Sequence, residues 1–213
     1  MNKFSREEMA RRVAADIPDG SFVNLGIGMP TMIADVLPAD REIVLHSENG
    51  ILGMGPAPAP GEEDDDLVNA GKQYVTLVPG GAYFHHAESF AMIRGGHIDI
   101  CVLGAFQVSV HGDLANWHAG NPDAIPAVGG AMDLAVGAKK VFVMMDLLTR
   151  QGNSKLVEHC TYPLTGLACV SRIYTDVATF DVGPQGAQVL DIVEGVSLAD
   201  LETLTSLKLN AAN

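Results

Sequence analysis

Glu48 opens the run Glu48-Asn49-Gly50, just after the apolar stretch that ends in Leu45-His46-Ser47. Of all the residues in the chain, it has the type and setting best suited to chemistry. Asn49-Gly50 is a strong turn signal, and Arg41 to His46 reads as a short buried strand. Glycines at 50, 53 and 55 let the backbone pass close to something bulky. An exposed carboxylate followed by bare backbone suits a nucleophile beside a ligand channel. The competing reading is an ordinary strand-ending turn with a solvated glutamate. A free glutamic acid ionises near pH ~4.3, so at neutral pH it can attack without a general base. Carboxylates react poorly with esters and amides, but a thioester carries a better leaving group. Attack there gives an acyl anhydride, and the expelled thiolate can return to form an enzyme thioester. A second carboxylic acid can reverse these steps and depart with the thiol. Such chemistry needs a dry site, oxyanion donors and a channel for a long cofactor arm.

Other chemical groupings are weaker. His85-His86-x-Glu88, with His97 and Asp99 downstream, could be drawn as a metal site. Adjacent histidines diverge on a helix or strand, however, and the set lacks HExxH spacing, so a polar rim or substrate contact is expected and no metal. Lys72 ends the loop Asn69-Ala70-Gly71, where most lysines are simply solvated. Trp117 in Leu114-Ala115-Asn116-Trp117 reads as a packing residue. No G-x-S-x-G elbow occurs, which argues against a serine hydrolase.

The elements that must position Glu48 follow from caps and periodicity. Ser5 and Glu8 form a capping box for an amphipathic helix to Ile17. Ser21 to Ile27 is an apolar strand ending at Gly26-Ile27-Gly28; Pro30 then suits the first position of a helix that continues through Thr31 to Leu37. Strand, glycine loop and helix start in that order can receive an anionic group. Tyr74 to Val78, Ile98 to Ala105 and Val141 to Met145 read as buried strands. Ala87 to Arg94 and Asp133 to Gly137 read as helices. Several β-type runs fill Leu167 to Val193, and Ser197 caps a last helix over Leu198 to Leu207. Strands alternating with helices predict an α/β fold: an open, largely parallel sheet flanked by helices, in a single domain over residues 1–213.

Composition narrows the function. With 47% hydrophobic and 18% charged residues, the chain can bury a core. A net charge of −13 disfavours nucleic acid, because a phosphate backbone would be repelled. Glu62 to Asp66 follow a proline-rich stretch and read as a solvated loop. No apolar run is long enough for a membrane span, and the polar opening does not resemble a signal peptide, so a cytoplasmic protein is expected. Cys101, Cys160 and Cys169 lack CxxC spacing and read as reduced thiols.

The run LHSENGILGMGP resembles the active-site signature of the beta subunits of family I CoA-transferases. VNLGIGMPT, DLVNAGK, ESFAMIRGGHID, GDLANW, VGGAMDL and YPLTG resemble further blocks of that family, in family order. The resemblance implies the open α/β sheet shared with some sugar-phosphate isomerases. It also implies a ping-pong reaction through a glutamyl-CoA thioester on Glu48. CoA would be substrate and covalent intermediate, with no permanently bound cofactor. By the same resemblance Asn24, Lys72 and Gly130 would form the oxyanion and acyl pocket, with the Gly130 N–H as oxyanion donor. Gly26, Gly28 and Asn116 would meet CoA. A second oxyanion donor would come from a glutamine of an alpha subunit, in an α2β2 assembly.

PAPGEEDDDLVNAGKQ, FHHAESF, VFVMMDLLT and EHCTYPLTGLACVSRIYTD resemble the subgroup that moves CoA from succinyl-CoA to 3-oxoadipate in aromatic-compound catabolism. Leu147 departs from it, standing where that subgroup leads one to expect histidine. The alternatives are transfer to acetoacetate, CoA-ester hydrolysis and non-catalytic ligand sensing. His85 or His86 is expected to hold the distal carboxylate of a dicarboxylic acceptor.

Overall fold

A computed structural model of the chain describes residues 1–120, 123, 125 and 128–212. Helix α1 (Arg6–Asp16) leads into β1 (Phe22–Leu25), a 3-10 helix (Met29–Val36), β2 (Val44–Ser47), β3 (Ile51–Met54) and β4 (Leu77–Tyr83). Then come α2 (His86–Arg94), β5 (Ile100–Leu103), β6 (Gln107–Ser109), β7 (Leu114–Ala115), α3 (Ala131–Gly137), β8 (Lys140–Met144) and β9 (Leu156–Val157). The chain closes with β10 (Val170–Tyr174), β11 (Ala178–Asp181), β12 (Gln188–Ile192), α4 (Leu198–Thr205) and β13 (Asn210–Ala211).

Ten of the strands form one sheet, ordered β13-β12-β11-β10-β8-β5-β1-β2-β3-β4. Its centre, β10-β8-β5-β1-β2, is wholly parallel, and antiparallel strands extend it on both sides. The central strands are parallel because both their faces are buried. In β5, Ile100 and Val102 enter one core while Cys101 and Leu103 enter the other. In β8, Phe142 and Met144 likewise oppose Val141 and Val143. The first core is covered by Met9 and Val13 of α1 with Ile17 just after it, the second by Ile93 of α2, Leu134 of α3 and Leu201 of α4.

Several expectations shift. The helix after β1 is a 3-10 helix over Met29–Val36, one residue earlier at each end than expected. Gly28 turns the chain at φ +93°, Pro30 offers no N–H, and the first bond closes from the Thr31 N–H onto the Gly28 carbonyl at 3.1 Å. The strand before Glu48 covers Val44–Ser47 rather than 41–46. The strand expected at Tyr74 to Val78 lies instead at Leu77–Tyr83 and is largely exposed. It is an edge strand, which tolerates Pro79 and the glycines 80 and 81 where a central strand would not. Acidic residues 62–66 are exposed, as their charge requires.

In chain order the parallel core reads 2-1-3-4-5, so the winding reverses beside β1, between it and β5. In open α/β sheets the crevice at the carboxyl ends of the strands flanking such a reversal is where ligands bind.

Candidate functional site

A cavity of about 380 Å³ lies at that crevice. Gly26 and Ile27 leave β1 to form one wall, and Gly104, Ala105 and Phe106 leave β5 to form another. Glu48, from the end of β2, enters the same space. Across from it lie Gly129 and Gly130 at the start of α3, with Met144 and Met145 at the end of β8.

The β2–β3 hairpin explains how Glu48 comes to be presented. Ser47 pairs with Ile51, leaving Glu48, Asn49 and Gly50 as a three-residue loop. The Gly50 N–H donates to the Ser47 carbonyl at 2.9 Å, and Gly50 adopts φ +115°. That is a tight turn closed by a left-handed residue, a common three-residue hairpin loop. A side chain at position 50 is doubly excluded, because its Cβ would lie 2.2 Å from the Phe84 carbonyl oxygen. The residues flanking Glu48 are tied down as well. The Ala70 N–H donates to Ser47 Oγ at 3.1 Å, and Asn49 Nδ2 donates to the Val68 carbonyl at 2.7 Å.

Glu48 is half-buried, not exposed as the turn alone suggested. Its carboxylate packs on bare backbone: Oε2 lies 2.7 Å from the place a Cβ on Gly130 would occupy, and Phe90 Cζ lies 3.1 Å from the same point. Burial raises the Glu48 pKa, with Asp133 acting the same way and a protonated His86 acting against it. Part of the hydration shell that makes a carboxylate a poor nucleophile is therefore already gone.

Beneath the hairpin runs a buried polar chain that the sequence did not reveal. Asn24 Nδ2 donates to His46 Nδ1 at 3.0 Å and to the His46 carbonyl at 3.2 Å. With Nδ1 accepting, Nε2–H donates to Ser89 Oγ at 2.9 Å. All three side chains are buried, and burial holds His46 neutral, with its pKa lowered to about 4. The chain joins β1, β2 and α2 two residues from Glu48.

The residues singled out from sequence divide between cavity and support. Glu48, Gly26, Asn116 and Gly130 line the cavity. Asn116 is fixed there, its Nδ2 donating to the Gly104 carbonyl at 3.2 Å and its Oδ1 accepting from Thr165 Oγ1 at 2.6 Å. Asn24, Gly28, Lys72, His85 and His86 are not among the lining residues. Asn24 belongs to the buried chain. Lys72 is exposed on a loop at φ +62°, next to Gly71, whose Cβ position would fall 3.7 Å from Ile27 Cγ2. His85 caps α2, its Nδ1 accepting from the Ala87 N–H at 3.1 Å. His86 packs against Phe90 with the rings tilted at 54° and their centroids 4.9 Å apart. Lys155, not singled out from sequence, does line the cavity. Nothing in Gly152-Asn153-Ser154-Lys155 distinguishes it from a solvated loop lysine.

Among the described residues no group of His, Cys, Asp and Glu is arranged to hold a metal, and no helix is long and apolar enough to cross a membrane. The three cysteines are free, and burial pushes the Cys160 and Cys169 thiols up to about 11.

Residues 6–200 match the profile of the coenzyme A transferase family. One subunit of a 3-oxoadipate CoA-transferase from Pseudomonas putida is 67% identical over 207 residues, covering 97% of both chains. One subunit of a succinyl-CoA:3-ketoacid coenzyme A transferase from Helicobacter pylori is 46% identical over 200 residues, covering 94% of this chain and 96% of its own. The crystal structure of an acyl-CoA transferase apoenzyme from Escherichia coli O157:H7 superposes with a TM-score of 0.76 at 20% identity. That match covers 98% of this chain and 42% of the larger one, and it establishes likeness of fold.

Proposed function

The chain belongs to the coenzyme A transferase family, and from that premise we propose that it is the beta subunit of an enzyme moving CoA from succinyl-CoA to 3-oxoadipate. The observation that carries the mechanism is the half-buried Glu48 carboxylate, presented by a fixed hairpin into the cavity and packed against Gly130. The acceptor follows from the 67% identity to the Pseudomonas putida protein, which exceeds the 46% to the 3-ketoacid enzyme.

In this reading a Glu48 carboxylate oxygen attacks the thioester carbonyl of succinyl-CoA. The C–S bond breaks, CoA leaves as thiolate, and a glutamyl-succinyl anhydride remains. The thiolate then attacks the Glu48 carbonyl of that anhydride, expelling succinate and leaving glutamyl-CoA. A 3-oxoadipate carboxylate attacks this thioester, again giving anhydride and thiolate. Attack of the thiolate on the acceptor's acyl carbon yields 3-oxoadipyl-CoA and returns Glu48 as carboxylate. No proton is transferred, so the site needs charge stabilisation rather than a general acid or base. The Gly130 N–H, beside the carboxylate, is the donor this chain offers to the developing oxyanion. Asn116, Gly26 and Gly28 are assigned to CoA. Asn24 and Lys72 act from the surrounding shell: Asn24 through His46, and Lys72 from the loop fixed by Ser47 and Asn49.

The assembly is proposed as α2β2, with a glutamine of the alpha subunit as the second oxyanion donor. Both bacterial relatives are named as one subunit of their enzymes, which supports a two-chain assembly.

Ping-pong transfer makes a direct demand. The complex, given succinyl-CoA and labelled succinate but no acceptor, should exchange label into succinyl-CoA without net release of free thiol. Steady thiol release would mark a hydrolase, and ligand binding without exchange would mark a sensor.

A further inference from the structure

We propose that Lys155 recognises dicarboxylic acids in this site, its ammonium pairing with the carboxylate at the far end of the succinyl and 3-oxoadipyl chains. The inference rests on the transferase reading and adds the residue that selects its substrates. Lys155 lines the same cavity as Glu48, among side chains that are mostly apolar: Leu103, Leu134, Met144 and Met145. Its main chain is fixed, its N–H donating to the Leu147 carbonyl at 2.8 Å and its carbonyl accepting from the Val108 N–H at 2.9 Å. Its ammonium makes no hydrogen bond and no ion pair among the described residues; the residue is partly buried, while Nζ keeps some contact with solvent.

An ammonium held half out of water without a counter-ion is costly, and an anionic ligand removes the cost. Burial lowers the Lys155 pKa; Asp146 and Asp176 oppose this, but neither forms an ion pair with it. Asp176 is engaged by Lys3 Nζ at 2.6 Å and by the Leu147 N–H at 2.8 Å. At about 380 Å³ the cavity is at the small end of ligand pockets, a size for the acid rather than for a whole CoA. Both acids of the proposed reaction carry a second carboxylate, and Lys155 is the cation that lines this cavity among the described residues. His85 caps α2, and His86, near enough to Glu48 for its charge to act there, sits against Phe90; neither lines this cavity.

The test uses the complex with its alpha subunit and compares two acceptors, 3-oxoadipate and 3-oxohexanoate, which has the same chain without the far carboxylate. In ping-pong kinetics kcat/KM for an acceptor reports only its reaction with the enzyme thioester, so donor effects drop out. Lys155→Met keeps the length of the stem and removes the charge. It should lower kcat/KM for 3-oxoadipate and for succinyl-CoA by about 10- to 100-fold, as loss of a charge-assisted bond implies. The value for 3-oxohexanoate should stay within about threefold of the unsubstituted complex, and Lys155→Arg should restore most of the preference. An unchanged ratio between the two acids, or equal losses for both, overturns the assignment.

The unsubstituted complex gives a second reading that needs no variant to fold. Its preference for 3-oxoadipate should decline as pH rises through a value below that of an ordinary lysine. A preference constant across that range also overturns the assignment. Failure of the transferase reading is separable, because an unsubstituted complex would then transfer CoA to neither acid.

Discussion

A half-buried carboxylate acting as the proposed nucleophile sets two demands at Glu48: room for the oxygen and a backbone donor beside it. Gly130 meets both, since a hydrogen where a methyl would stand leaves the 2.7 Å approach of Oε2 open. Gly130→Ala should therefore displace the end of the Glu48 side chain, a flexible group, rather than unfold the protein. Displacements on the order of 1 Å at a reacting atom cost roughly 100-fold in rate. We expect kcat to fall by about that factor while the thermal midpoint of the complex moves little; calorimetry beside steady-state kinetics checks both. The Asn-Gly turn alone left Glu48 open to reading as a solvated strand-ending residue, and it was the blocks resembling CoA-transferases that singled it out. Its half-burial was not legible, because the wall that buries it, Gly129-Gly130, lies about 80 residues further along the chain. Lys155 was invisible for the same reason: local sequence cannot say that a loop lysine folds back over the ends of β5 and β8.

The elements around Glu48 are locked by the buried chain Asn24–His46–Ser89, which joins two parallel strands to α2. A neutral histidine in that position makes stability depend on pH. The unfolded chain takes up a proton near pH ~6.5, whereas His46 in the folded protein resists it down to about 4. Between these values the unfolded state binds more protons, so stability falls as the pH falls from ~6.5 towards 4. The full effect is on the order of 3 kcal/mol. Denaturant midpoints measured across that range should show the slope, and His46→Gln should flatten it even if the variant is less stable throughout. Helix starts marked by a serine cap were well read, because capping boxes such as Ser5–Glu8 and Ser197–Asp200 are complete within four residues, whereas α3, with no side-chain cap, begins at Ala131 rather than Asp133. Strand limits were read less well. The register of β4 is set by pairing with β3 across a bulge, and pairing with a distant segment leaves little mark on the local sequence.

At the scale of the whole molecule, the parallel core places the carboxyl ends of β1, β2, β5 and β8 along one edge of the sheet, and the reversal beside β1 opens the crevice there. Alternation of strands and helices indicated this class of fold, but not the strand order or the antiparallel extensions at each side. The chain carries a net charge of −13, yet its proposed substrates are anions. Lys155 and the glycine-walled cavity must therefore outweigh the overall field locally in the proposed reaction. That arrangement stands or falls on a covalent bond to one residue. The complex incubated with succinyl-CoA, then reduced with sodium borohydride and digested, should yield a single modified peptide with the change on Glu48. The Glu48→Ala complex, treated alike, should yield no such adduct and show no transfer to 3-oxoadipate. An adduct on another residue, or full transfer by Glu48→Ala, would contradict the account.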